Sequence, residues 1–320
     1  MRLAYERDSD ALTGAIEIAP VVDVTAARLD RLEAEAVYIL RELTQFARPA
    51  LMFSGGKDSA VLLHVALKAF APAKPPFALL HIDTGHNFPE VIAFRDARAR
   101  ESGLELIVRG VEDSIRRGSV RLAGETASRN AAQATTLLEA QAEFDFDALI
   151  GGARRDEEKA RAKERVFSHR DAFGAWRPRA QRPELWSLYN RRIAPGENMR
   201  VFPLSNWTEA DIWAYILRER IELPSLYYAH QREVVRRDGL LFPVTPLTPA
   251  AEGEVVERLA VRFRTVGDIT GTCPVESYAG SASDVLLETL SASVSERGAT
   301  RMDDRANAAA MERRKLEGYF

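Results

Sequence analysis

Leu51-Met52-Phe53 followed by Ser54-Gly55-Gly56-Lys57-Asp58-Ser59 and then Ala60-Val61-Leu62-Leu63-His64-Val65 decides how this chain folds. The order is an apolar strand, a glycine turn and the start of an amphipathic helix. Two glycines let the backbone turn tightly and bring its N–H groups close to a ligand. The helix N-terminus adds unpaired N–H donors and the positive end of its dipole. Ser54 and Ser59 supply hydroxyls and Lys57 a charge, so the stretch reads as a phosphate cradle. It is not the P-loop of G-x-x-x-x-G-K-[ST], because Leu51 stands at the first glycine position and Asp58 follows the lysine. G-x-G-x-x-G is absent as well.

Outward from the cradle, helical and strand-like segments alternate. Leu29, Leu32, Ala36, Ile39, Leu40 and Leu43 recur at three- and four-residue steps and predict a helix within 24–46. Residues 50–53, 77–83, 104–108 and 146–150 read as strands, and 58–70, 89–102 and 130–143 as helices, with Pro89 suited to a first turn. Strands without polar alternation, separated by helices, predict an α/β fold with a doubly wound, mostly parallel sheet. In such sheets ligands bind beyond the C-terminal strand ends. Three polar clusters fall there: Ser54–Ser59, Asp83-Thr84-Gly85-His86, and the run from Gly151-Gly152 through Arg154-Arg155-Asp156-Glu157-Glu158 to Arg165.

In the third cluster, Arg154–Glu158 and Glu157–Arg161 are i,i+4 pairs of a solvated helix, each worth about 0.2–0.5 kcal/mol. That accounts for the pairs but not for a glycine pair directly after a buried strand, nor for Arg154, Arg161 and Arg165 on one helical stripe. A tetrahedral oxyanion takes several fork-shaped donors, which arginine supplies. Asp83 and Thr84 either contact nucleotide and Mg²⁺, or Asp83 caps its own turn. Asn206, three residues before Glu209, reads as a helix N-cap in a capping box, and Trp207 and Trp213 as core. The strand–helix rhythm stops near Pro224, after which 254–263 and 284–290 read as helical. We therefore divide the chain into an N-terminal arm (1–23), a catalytic domain (24–222) and a mainly helical C-terminal extension (223–320). The extension is expected to dock a partner or cover the site.

The 320 residues suffice for a sizeable core. An apolar content of 46% and a charged content of 28% are ordinary for a soluble globular protein. A net charge of −3 gives no argument for a nucleic-acid partner, and no apolar run is long enough to span a membrane. The single Cys273 makes neither an internal disulfide nor a thiolate metal site. With no secretory signal in view, the cytoplasm is the expected compartment.

Ser54–Ser59, His81-Ile82-Asp83-Thr84-Gly85, the run from Gly151 to Arg165, Gln181-Arg182-Pro183-Glu184-Leu185-Trp186, and the stretch from Val201 to Trp213 together resemble the small-subunit family of heterodimeric ATP sulfurylases. Arg262-Phe263-Arg264-Thr265 and the terminal Gly318-Tyr319-Phe320 fit the same pattern. The resemblance covers roughly residues 28–320. It implies a PP-loop fold of the adenine-nucleotide α-hydrolase type and formation of adenosine 5′-phosphosulfate and pyrophosphate from ATP and sulfate. It implies Mg²⁺ with ATP, no tightly bound organic cofactor, and a GTPase large subunit that drives the uphill step, with or without a fused adenylylsulfate kinase. In that reading Ser54, Gly55, Gly56, Lys57, Asp58, Ser59, Asp83 and Thr84 bind ATP and its pyrophosphate, and Asp58 is the candidate Mg²⁺ contact. Arg154, Arg155, Arg161, Lys163 and Arg165 bind sulfate, and Lys57, Arg154, Arg155 and Arg165 are the catalytic set. Phosphosulfate reductases resemble the chain in the same loop, but they use a Cys-Gly-x-His thiol. Cys273 sits in Gly271-Thr272-Cys273-Pro274-Val275, with no following Gly or His. A nucleotide-binding subunit that only scaffolds a GTPase is the third reading.

Overall fold

A computed structural model describes residues 24–122, 129–157 and 159–292. The expectations for 1–23 and for the C-terminal tail beyond 292 lie outside the described residues. The elements run α1 (Ala26–Glu42), β1 (Pro49–Met52), α2 (Lys57–Phe70), β2 (Ala78–Asp83), α3 (Pro89–Ser102), β3 (Leu106–Gly110), α4 (Val111–Arg116), α5 (Ala132–Glu143) and β4 (Ala148–Ile150). They continue with β5 (Phe167–Arg170), β6 (Asn198–Val201), α6 (Glu209–Glu219), β7 (His230–Arg237), β8 (Leu240–Pro243), β9 (Glu257–Arg262), β10 (Val275–Glu276) and α7 (Ala282–Ser291). Among these, no helix is long and apolar enough to cross a membrane.

Six strands form one sheet in the order β3-β2-β1-β4-β6-β5, parallel except for β5 at the edge. Leu51 is in register with Leu79 on one side and Ile150 on the other. The chain winds outward in both directions from β1, so the gap between the C-terminal ends of β1 and β4 is a topological switch point, where such sheets bind ligands. The central strands β1, β4 and β6 bury both faces. Leu51, Leu79, Ile150 and Val201 face a core shared with α1, α2 and α6, while Ala50, Leu80 and Leu149 face the smaller core under α4 and α5. The predicted α/β class and the mostly parallel sheet are what the chain adopts, and Trp207 and Trp213 lie in the larger core.

The extension differs from its expected helical character. α7 closes the described chain as a helix, but before it β10-β9-β7-β8 form a four-stranded antiparallel sheet. Residues 254–263, read as a helix, hold the strand β9. Leu259 and Val261 recur at a spacing of two, and Val261 packs on Val234 and Leu241 across the sheet. The β-branched side chain suits that pleated surface. Apolar residues at 255, 256, 259, 260 and 263 mimic helical spacing, and tertiary pairing overrides it.

The cap of α6 is also displaced. Thr208, not Asn206, is the N-cap: the Asp211 amide donates to Thr208 Oγ1 at 3.1 Å, and the Thr208 amide donates back to Asp211 Oδ2 at 2.8 Å. Two tight turns over Phe202–Trp207 delay the helix, and the Asn206 side chain donates instead to Glu35 Oε1. Asp211 is also gripped by Arg28, whose Nε and Nη2 donate to its two oxygens at 2.7 Å each, which ties α1 to α6. Replacing Asp211 with Ala leaves a partly buried guanidinium and a helix cap unsatisfied. We expect a loss of about 2–4 kcal/mol in urea denaturation, and a change under about 0.5 kcal/mol would show that this pair does not hold the two helices together.

Candidate active site

The loop after β1 is shaped by its glycines and braced by its serines. Gly55 has φ +78°, and a Cβ there would meet Val91 Cγ1 at 2.8 Å. Ser54 Oγ accepts from the Gly56 amide and lies 3.2 Å from Ser59 Oγ, while Ser59 Oγ donates to the Gly56 carbonyl at 2.8 Å. α2 then begins at Lys57. Its first amide donates at 2.9 Å to the hydroxyl of Tyr227, which arrives from the extension.

Lys57 and Arg154 converge on one carboxylate. Lys57 Nζ donates to Asp58 Oδ2 at 3.1 Å, and Arg154 Nε donates to Asp58 Oδ1 at 2.7 Å. Lys57 and Arg154 are both fully buried. Burial opposes the charge on Asp58, but the two cations overcome it and hold the carboxyl down at about 2. The loop after β4 reaches this carboxylate because Gly152 has no side chain: a Cβ would lie 3.0 Å from the Asp58 carbonyl carbon. Arg154 is held further by Asp156 at 3.4 Å and Glu157 at 3.7 Å.

Beside this cluster lies a cleft of about 220 Å³. Ser54, Asp58 and Ser59 form its floor, Gly152, Glu157 and Arg161 one wall, and Val266-Gly267-Asp268 of the extension another. Met52, Ile82 and Leu137 make an apolar region next to the amides of Asn87, Asn130 and Gln133. Arg161 Nε stands 3.2 Å from Glu157 Oε2, the expected i,i+4 pair. The segment is nonetheless not one α-helix, but turns followed by a 3₁₀ stretch, Lys159–Lys163. It therefore does not carry Arg154, Arg161 and Arg165 on one stripe.

The remaining predicted arginines are placed elsewhere. Arg155 bonds to Asn206 and donates to the Glu164 carbonyl at 3.2 Å. Arg165 Nε donates to the Arg182 carbonyl at 3.1 Å, and Lys163 is exposed. None of these three lines the cleft, and Lys57 and Arg154 stand behind Asp58. Sequence reasoning passed over Arg170, which is fully buried and donates to Glu164 Oε1 at 2.8 Å and Ser168 Oγ at 2.6 Å.

The second strand-end cluster is a self-supporting turn. Asp83 Oδ1 accepts from the Gly85 amide at 2.7 Å and from Asn87 Nδ2 at 3.2 Å, so Asp83 caps its own turn. Thr84 is buried, and its carbonyl accepts from Arg129 at 2.9 Å. Neither lines the cleft; they position Ile82 and Asn87, which do. His81 donates from Nδ1 to the Phe53 carbonyl at 2.8 Å and meets Asn87 Nδ2 through Nε2 at 3.3 Å. Burial pushes its pKa down, favouring the neutral ring this pairing requires. Asp268 caps a 3₁₀ turn and joins Asn87 by an isolated bridge, which fixes the extension against the turn.

Asp58, the expected magnesium contact, lines the cleft and has one cation on each oxygen, Lys57 on Oδ2 and Arg154 on Oδ1. Among the described residues no group of three or more His, Cys, Asp or Glu could hold a metal ion. The cleft instead offers an anion floor at a helix N-terminus, an arginine at the wall, and an apolar slot edged by amides. That combination suits a planar base carrying a phosphate tail.

Residues 48–274 match the phosphoadenosine phosphosulfate reductase domain family. The chain is 58% identical over 295 residues to sulfate adenylyltransferase subunit 2 of Streptomyces lavendulae, covering 92% of each. It is 57% identical to the protein of the same name from Mycobacterium tuberculosis, covering 92% of this chain and 95% of that one. Among solved structures it is similar to FMN adenylyltransferase of Candida glabrata, with a TM-score of 0.44 at 20% identity, over 66% of this chain and 65% of that one.

Two outcomes follow from the Asp58 cluster. Because its folded pKa of about 2 lies below the ordinary 3.8, its stabilisation is complete above about pH 4 and is lost as pH falls toward 2. Asp58→Asn should flatten that acid limb in pH-dependent thermal unfolding, and an unchanged limb would assign it to other carboxylates. Gly152→Ala forces the β4 loop away from α2 and should cost about 1–3 kcal/mol by chemical denaturation, since the neighbour it meets is backbone.

Proposed function

This chain belongs to the sulfate adenylyltransferase subunit 2 family of nucleotidyltransferases, and from that premise we propose that it forms adenosine 5′-phosphosulfate and pyrophosphate from ATP and sulfate. The observation that carries the proposal is the cleft at the switch point, where the Ser54–Ser59 floor, the Arg161 wall and the Met52–Ile82–Leu137 slot meet. The adenine occupies the slot, with Asn87, Asn130 and Gln133 reading its polar edge. The β and γ phosphates lie over the loop amides and the hydroxyls of Ser54 and Ser59. Mg²⁺ enters as part of the nucleotide substrate.

A sulfate oxygen attacks the α-phosphorus in line, the bond from that phosphorus to the bridging oxygen breaks, and pyrophosphate leaves with the electron pair. The nucleophile is already an anion, so no general base is needed, and neutral His81 has a purely positioning role. The protein's work is orientation and charge stabilisation. Arg161 faces the cleft and is placed to meet sulfate and the α-phosphate. Lys57 and Arg154 act through Asp58, fixing its carboxylate beneath the leaving group. Arg155 and Arg165 hold the surrounding segment, a narrower role than direct sulfate binding.

The relatives' designation as subunit 2 supports a complex with a further subunit. We assign that subunit the GTPase role, since formation of the phosphosulfate anhydride is uphill and this chain has no G-x-x-x-x-G-K-[ST] loop of its own. The reductase reading is disfavoured by Cys273, which is fully buried beside Val235 and Phe242 and does not line the cleft.

The test is pyrophosphate release from MgATP and sulfate, with and without the GTPase subunit and GTP. Sulfate-dependent release that rises with GTP is expected, and thiol-dependent sulfite formation from a sulfonucleotide would replace this reading with the reductase. Arg161→Ala should lower kcat/KM by roughly 10²–10³-fold with the fold intact. Near-normal turnover in that variant would remove Arg161 from the reacting centre.

A further inference from the structure

Residues 177–192 form a basic surface with exposed apolar side chains. Of its five arginines, Arg177 pairs with Asp171 and Arg191 with Glu42, which leaves Arg179, Arg182 and Arg192 beside the single acid Glu184. Within this basic stretch Leu185, Trp186 and Leu188 are 58%, 85% and 67% exposed. An exposed tryptophan between two exposed leucines is an association surface in form, since indole and arginine are the side chains that anchor interfaces. They rim a groove of about 460 Å³ together with Tyr189, Arg182 and Arg192.

The backbone holds the indole outward at a cost. Trp186 and Ser187 have φ of +55° and +56°, left-handed values that bulky L-residues rarely adopt. Such strain persists only where the surroundings enforce it, and here they do. Glu184 accepts from the amides of Val166 and Phe167 at 2.8 Å each, and Gln181 both accepts from and donates to the backbone of His169. These two side chains stand in for a neighbouring strand along β5, the edge of the main sheet. The edge is thereby closed to strand addition, and recognition falls to the side chains above it.

We infer that this surface is where the second subunit docks, presenting carboxylates around an apolar socket that receives Trp186. The inference rests on the heteromeric reading above and locates its interface. The basic rim sets the partner's charge, and the exposed Leu185, Trp186 and Leu188 set the apolar centre. The position also gives the partner a route to the reaction. Glu184 grips the residues that directly follow Arg165, and the Arg182 carbonyl takes the Arg165 guanidinium. Movement of the docked segment is therefore passed to the 161–167 stretch that carries Arg161.

Association of the full chain with the purified GTPase subunit, followed by sedimentation velocity and fluorescence titration, tests this. Trp186→Ala and Arg182→Glu should each raise Kd at least tenfold, with the Arg182→Glu effect shrinking at high salt. Tyr278→Ala, at a 90% exposed residue of the extension, should not change it. ATP binding by the isolated chain should be unchanged in all three. Wild-type Kd in both patch variants overturns the inference, as does Trp186-dependent self-association of the chain in place of heteromeric binding. A complex that forms but releases no pyrophosphate with sulfate would instead sink the proposed reaction, leaving the Trp186 effect readable.

Discussion

The site depends on how one partly buried carboxylate is neutralised. Asp58 lies between Lys57 on its own helix and Arg154 on the loop after β4. A charge taken out of water is tolerable only with close opposite partners, so the two loops cannot separate without stranding an ion. This contact sets the width of the switch-point gap. The missing side chain at Gly152 is what permits it. Asp156 and Glu157 further offset Arg154, and neither Lys57 nor Arg154 projects into the cleft.

The extension matters as much as the main sheet. Tyr227 caps the first amide of α2, Val266-Gly267-Asp268 close one wall, and Asp268 bridges to Asn87. Arg232, stacked over Phe88 and Phe263 and paired with Glu90, fastens the antiparallel sheet to the start of α3. The small sheet therefore packs as a buttress, and its strands earn their place by presenting the turns between them to the nucleotide cleft.

Local chemistry made much of this legible. The glycine loop after β1, the Pro89–Ser102 helix and the mostly parallel sheet each follow from spacing, proline placement and apolar runs. What escaped the sequence was directional or distant. Lys57 and Arg154 were visible as cations, but nothing local shows that both turn onto Asp58 instead of into the cleft. Arg154, Arg161 and Arg165 read as one helical stripe of anion ligands, yet the chain bends through turns and a 3₁₀ stretch and spreads them apart. The β9 strand was hidden by a chance helical spacing of apolar residues. Tyr227 carries no local mark at all, since its partner is 170 positions away.

That separation has a bearing on how the molecule comes into being. Chains are made from the N-terminus at about 5–20 residues per second. The phosphate loop is thus complete on the order of ten to thirty seconds before Tyr227 leaves the ribosome. Throughout that interval the first amide of α2 lacks its cap and the cleft lacks a wall. The cleft is therefore among the last parts of the described structure to be completed.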